Sequence, residues 1–353
     1  MADITREMPR TADNNVETKL EGSGNRVSQF SYIKAAACFA IVLLHTFNST
    51  RVYHLDVITD SQVNAMNAAC ASLMWAVPCF LMVTGALLLD RERVIPPRKL
   101  FGKYITRMLI ALVLFTALFT FIRHDPSSET GIAAEFIDGL LFNHCMAYLW
   151  YLYMMIAIYL LMPVMKAVTN RLTDKQLAYM TGALLLICSV LPLASYSGVD
   201  AVLYIPTWIV YGAYLFIGFL LYRHNMDLRI AAAMLVISTI ALPLITLRFA
   251  GTDIDASGLT AYNSPLVVMQ SAAVFSLMLR IRREAGRFIS SVDRCTFGIY
   301  LIHMVFIRLS MKEMGLNLFD CGPAGFVAAA AVYFFAAFGL TRVLKKVKIF
   351  RFL

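Results

Sequence analysis

KAAACFAIVLLHT, residues 34–46, sets a lysine and a histidine at the two ends of an otherwise apolar run. Taken from 29 to 50, the run has the roughly 20 mainly apolar residues that carry a helix across a bilayer. In hydrocarbon the backbone must satisfy its own hydrogen bonds, so such a run becomes a helix. Positions 34 and 45 are then about three turns apart and point from nearly the same face, separated by about 16 Å along the axis. Ionisable groups at such depth usually face a bundle interior or an aqueous cavity. For Lys34 the competing reading is snorkelling to head groups at the membrane surface. For His45 it is a neutral imidazole hydrogen-bonded between helices.

The rest of the chain repeats the pattern of the first run. Of 353 residues 59% are hydrophobic and only 15% charged, and the mean hydropathy is +0.69, far from the makeup of a soluble domain. Further apolar runs lie at roughly 66–89, 100–122, 147–165, 176–196, 205–222, 229–249, 261–281, 295–311 and 323–344. The expected fold is an all-α polytopic membrane protein of about ten transmembrane helices. The first run follows a long polar tail and lacks a small-x-small cleavage site, so it reads as a retained span rather than a signal peptide. Residues 1–28 read as a disordered cytoplasmic tail, and 29–353 as one membrane domain without a soluble catalytic part or an internal repeat.

Lysine and arginine fall on alternate connections. The cation-rich segments are the tail, RERVIPPRKLFGKYITR (91–107), the region of Lys166, Arg171 and Lys175, that of Arg223 and Arg229, RIRREAGR (280–287) and KKVKIFR (345–351). The opposite side holds only Arg51, Arg123, Arg248, Arg308 and Lys312. By the positive-inside rule the multi-pass chain is expected to have both termini cytoplasmic. The formal charge of +9 therefore marks one membrane face and gives no reason to expect a nucleic-acid partner; anionic lipids or an anionic substrate fit it.

Seven cysteines argue against a disulfide framework. Only Cys145 and Cys321 lie near the outer side, where pairing is open. No cysteine or histidine cluster has zinc spacing, so no metal is expected. The long outer connection 123–147 has an amphipathic half (Ile132, Phe136, Ile137, Leu140, Leu141) suited to an interfacial helix or a lid. The histidines outside the spans, His54, His124, His144 and His224, read as solvated. No Asp or Glu is expected deep in a span, which weighs against a proton-coupled transporter.

Four stretches together resemble the membrane-bound acyltransferase-3 family, which includes bacterial O-acetyltransferases of surface polysaccharides. They are Lys34, ten residues and His45 in the first helix; VPCFLMVTGALLL (77–89) closing the second; YLWYLYMMIAIYLLMPVM (148–165) in the fourth; and TFGIYLIH (296–303) in the ninth. Two departures stand out. Ser31 and Lys34 replace the D-x-x-R often found before the first apolar run, losing a carboxylate and a bidentate guanidinium. Tyr148 stands where the family has a histidine before Leu-Trp.

The resemblance implies an acyl group, most simply acetyl, passed from cytoplasmic acyl-CoA to a hydroxyl of a surface or lipid-linked glycan. Lys34, the stripe Lys99, Lys103 and Arg107, and Arg282 with Arg283 would hold the phosphates of acetyl-CoA. Plain membrane anchoring explains the last two clusters as well. His45 would be the base, since an imidazole titrates near about 6.5, or would carry the acyl group in transit. His303 would orient it or assist the reacting carbonyl. Tyr300, Trp150 and Tyr151, with Tyr153, would face the acceptor. A transporter or flippase for an anionic or glycan-lipid substrate is the reading from another class.

Overall fold

A computed structural model describes residues 28–125, 127, 130–199, 206–252 and 257–353. The tail expected over 1–28 lies outside the described residues up to 27. Ten helices follow the ten apolar runs in order: α1 (Ser28–Tyr53), α2 (Asp60–Leu88), α3 (Pro97–Arg123), α4 (Ala147–Arg171), α5 (Asp174–Ser197), α6 (Thr207–Arg223), α7 (Leu228–Arg248), α8 (Pro265–Met278), α9 (Arg287–Glu313) and α10 (Leu318–Leu344). Among the described residues no strand occurs, and eight of these helices are long and apolar enough to cross a membrane. The sixth and eighth runs make the shorter helices α6 and α8.

Several boundaries depart from the hydropathy pattern, and each has a local cause. α2 begins at Asp60, earlier than its apolar run, because Thr59 and Gln62 form a reciprocal capping box that starts a helix on polar residues. The helix then breaks at Leu73–Trp75. Pro78 explains the break: it has no N–H to give Met74, and its ring crowds that carbonyl. α9 begins at Arg287, eight residues before the expected 295, and so takes in Asp293. Asp293 thus stands within the helix, in its second turn, where the hydropathy pattern places no acid.

α1 and α9 run side by side in the core. Ser31, Lys34, Cys38, Ile41 and His45 form one stripe of α1 at i, i+3, i+7, i+10 and i+14. Asp293, Thr296, Tyr300 and His303 form the matching stripe of α9. The rungs are read from contacts: the Ser31 hydroxyl donates to Asp293 Oδ2 at 2.7 Å, the Cys38 thiol reaches the Thr296 carbonyl at 3.7 Å, and the His45 and His303 rings are centred 5.2 Å apart. The near-constant sequence offset of these pairs means the two helices are parallel.

Two glycines from the family-like stretches serve close packing. A Cβ on Gly85 of α2 would stand 2.0 Å from the Leu215 carbonyl oxygen of α6. One on Gly298 of α9 would stand 2.3 Å from Thr341 Cγ2 of α10. Both helix pairs therefore pack with almost nothing between their surfaces.

Loop contacts fall into two groups. Asp174 receives Arg91 at 2.7 Å, Arg223 at 3.2 Å and His224 at 2.6 Å, tying three of the cation-rich connections together. Elsewhere His54 meets the Leu316 carbonyl at 3.0 Å, His124 meets Glu135 at 3.1 Å and His144 meets Asp138 at 2.9 Å. The histidines expected to be merely solvated are thus loop ties. Cys145 and Cys321 are free thiols; Cys145 is buried, 3.5 Å from the Thr116 carbonyl. The amphipathic stretch forms a helix, Ile132–Phe142, whose Ile137 and Leu141 stay exposed. It packs along α3 through Gly139 and is not folded over the centre of the bundle.

Gly85→Ala forces a methyl into the Leu215 backbone and should cost ~1–3 kcal/mol. It should lower the melting temperature of detergent-purified protein. Gly182→Ala in α5, with open space around it, should leave that temperature unchanged or raise it slightly.

Candidate active site

The two ends of the α1 stripe open into two cavities. The larger, about 730 Å³, is bounded by α1, α2, α3, α4 and α9 and by residues 351–353. Seven cations line it: Lys34, Arg93, Lys103, Arg107, Arg294, Lys345 and Arg351; Asp293 is the one acidic side chain among its lining residues. The smaller, about 30 Å³, surrounds His45 and has room for about one or two water-sized groups. Ile41, Tyr151 and Tyr300 wall both cavities. The two cavities thus share a wall of one aliphatic and two phenolic side chains.

Lys34 does not snorkel. Its ammonium pairs with Asp293, whose side chain is fully buried while that of Lys34 keeps 22% exposure. Ser31 takes the second carboxylate oxygen. The carboxylate that α1 lacks at position 31 is thus supplied by α9, and Ser31 is the donor that holds it. Asp293 was missed because the ninth apolar run was started at 295. An earlier start was legible: Val292, Cys295 and Ile299, all buried, continue the helical period back to the first turn.

Of the other expected cofactor ligands, Lys103 and Arg107 line the large cavity, while Lys99, Arg282 and Arg283 do not. Lys99 ends the short turn Pro97–Lys99, ahead of a π-helical segment, Leu100–Ile105, that carries Lys103. Arg282 and Arg283 are exposed in the connection before α9. Arg93, Arg294, Lys345 and Arg351 take their place. Arg93, Lys345 and Arg351 belong to the cation-rich segments, Arg294 lies on α9 just outside them, and nothing in their spacing says which cations turn toward a common mouth. Arg107 lies over the Phe297 ring at 4.2 Å and donates to a main-chain oxygen of Leu353 at 3.0 Å, and its Nε is buried without a partner. Such a donor set suits phosphate oxygens.

At the other end His303 is fully buried. Its Nδ1 lies 3.1 Å from the Ile299 carbonyl, and its Nε2 has no hydrogen-bond partner. A carbonyl can only accept, so Nδ1 carries a proton and the Nε2 lone pair is left toward its surroundings. Tyr148 packs edge-on to both histidines, ring centres 6.1 Å from His45 and 5.7 Å from His303. Its hydroxyl is committed to the Leu301 carbonyl at 2.9 Å, while the Tyr300 hydroxyl donates to the Tyr148 carbonyl. This reciprocal clamp fixes the start of α4 against α9. Tyr148 is thus a positioning group where the family has a histidine.

Trp150, Tyr151 and Tyr300 all line the His45 chamber. Trp150 also packs on Tyr211 and Tyr262, each at 5.5 Å. Tyr153 does not join this wall; its hydroxyl donates to the Leu140 carbonyl at 2.7 Å. Leu73 and Val77, on either side of the α2 break, complete the chamber.

A family model described as an acyltransferase domain matches residues 27–344, nearly the whole chain. The chain belongs to the acyltransferase-3 family. No curated protein and no solved structure matches it. Membership makes it a membrane acyltransferase, and the matched span holds both cavities except for Lys345 and residues 351–353.

Breaking the buried ion pair strands a charge, which costs about 3–5 kcal/mol where both partners are buried and less where one is partly exposed. Asp293→Ala should therefore lower the melting temperature clearly. Adding Lys34→Met to it should recover part of the loss, because no unpaired ammonium is left. A double-mutant cycle on purified protein measures the coupling.

Proposed function

We propose that the protein is an O-acyltransferase, acetyl being the group moved. It would take that group from acyl-CoA at the cation-lined mouth and pass it to a hydroxyl of a surface or lipid-linked glycan approaching the His45 chamber. The observation that carries this reading is the pairing of a seven-cation cavity with a histidine chamber across one shared wall. A donor with a diphosphate and a further phosphate at one end and a thioester at the other, joined by a slender arm, matches that division. The cation-rich mouth faces the cytoplasm in this reading, with an inner-membrane location.

In the chemistry proposed, neutral His45 accepts the proton of the acceptor hydroxyl as that oxygen attacks the thioester carbonyl. The carbon–sulfur bond breaks, the coenzyme thiolate leaves, and the imidazolium returns its proton to the sulfur. The products are the acyl ester and free coenzyme A. His303, its ring centred 5.2 Å from that of His45, would favour the imidazolium while it exists. Tyr151, Tyr300 and Trp150 position the acceptor and the arm. The ion-paired Asp293 removes one argument against a transporter, and family membership supports transfer.

Purified protein with labelled acetyl-CoA and cell-envelope glycan should move label to the glycan. His45→Ala should reduce turnover by about 10²–10⁴ with folding intact; turnover at the normal rate would remove His45 as base. Arg107→Ala should mainly raise KM for the donor, and Lys34→Ala should raise it and also lower kcat, because it removes the ion pair that sets α1 against α9. Chamber size supports a short acyl group. Leu73→Ala should therefore raise the propionyl-to-acetyl ratio of kcat/KM by about tenfold, the scale at which a pocket discriminates one methylene. An unchanged ratio would separate acyl selection from this chamber.

A further inference from the structure

A second cavity lies at the cation-rich end, outside the site just described. It is a groove of about 580 Å³ between the first turns of α9 and the last turns of α10. Arg287, Arg294 and Arg342 line it with Ser291, Phe288 and Phe338, and no carboxylate is among its lining residues. Among the described residues none of the three guanidiniums has an ion-pair partner. Arg294 lines the donor cavity as well, so the groove and the donor mouth share a wall.

The groove has two chemical ends. Next to the arginines an aromatic face continues along the outside of the bundle: Phe288 and Phe335 are each 53% exposed, with ring centres 6.3 Å apart. Phe338 is 6.1 Å from Phe288 and lies under Arg342 at 5.7 Å. A free phosphate or a nucleotide would satisfy the guanidiniums and leave those rings uncovered. A ligand with an anionic head and an apolar tail covers both.

We infer that this groove binds the headgroup of an anionic glycerophospholipid, its phosphate among Arg287, Arg294 and Arg342 and its acyl chain along Phe288 and Phe335. Basic pockets between helices at the membrane surface are where such headgroups lodge. The site shares Arg294 with the donor cavity, whereas Arg287, Ser291 and Arg342 line the groove alone, and it stands whichever acceptor the enzyme uses.

The test is native mass spectrometry of the full chain in mild detergent, titrated with phosphatidylglycerol and with phosphatidylcholine of the same acyl chains. The wild type should retain phosphatidylglycerol about tenfold better. Arg287→Gln with Arg342→Gln should abolish that preference, and Ser291→Asp, which adds a negative charge to the groove without removing a cation, should do the same. Melting curves confirm that each variant is folded. Equal retention of the two lipids by the wild type overturns the inference, as does a preference that survives Ser291→Asp. Displacement of phosphatidylglycerol by adenosine 3′,5′-bisphosphate or by inorganic phosphate would assign the groove to a soluble phosphate ligand and overturn it too.

Discussion

The contact between Lys34 and Asp293 is the constraint on which the rest of the site hangs. An ammonium and a carboxylate at membrane depth are each costly alone and tolerable together. Their pairing therefore fixes which faces of α1 and α9 meet, and Ser31 holds the carboxylate from its other side. Two parallel helices locked at that rung bring their remaining stripe residues into step. The consequence appears about three turns higher, where His45 and His303 come to 5.2 Å. A charge pair at one end thus positions an imidazole pair at the other through helix geometry alone.

Above the ion pair, the polar chemistry gives way to a shared wall and, beyond it, to a small, mostly aromatic chamber. Tyr148 and Tyr300 exchange hydrogen bonds with each other's segments, which pins the wall of that chamber on the α4 side. Pro78 opens the opposite wall by breaking α2 at Leu73–Trp75. Non-helical backbone at this depth is tolerated where it borders a cavity, and here it borders the one that holds His45.

Much of this was legible in the sequence, and the remainder has physical reasons for being hidden. Composition and run length identify an all-α membrane protein, because hydrocarbon allows little else. The 34-to-45 spacing places both groups on one face, because the helical repeat is fixed. Asp293 was lost at the edge of a hydropathy window: α9 begins on polar residues, and a carboxylate neutralised by a partner on another helix looks like a loop residue when only its neighbours in sequence are considered. The donor-facing cations were legible as a charged membrane face but not individually. Lys103 and Arg107 turn into the cavity and Lys99, Arg282 and Arg283 do not, a choice made by the π-helical turn and by loop paths that no spacing rule encodes. Pro78 was a readable break that a search for uninterrupted apolar length passes over.

The departures from the family pattern can now be weighed by what they do. Replacing an acid at position 31 by serine would leave Lys34 without a counter-charge if α1 were the only source. Asp293 supplies one from α9, so the local loss is compensated in space and the cation is held just as firmly. Replacing the histidine at 148 by tyrosine works differently, because the phenol is spent on the Leu301 carbonyl and offers no proton acceptor to the chamber. Two imidazoles therefore remain there, one facing the small cavity and one fully buried with its Nε2 unpaired. In the proposed reaction that asymmetry divides their roles: His45 borders the chamber and is the group placed to touch a reacting atom, and the fully buried His303 acts through it.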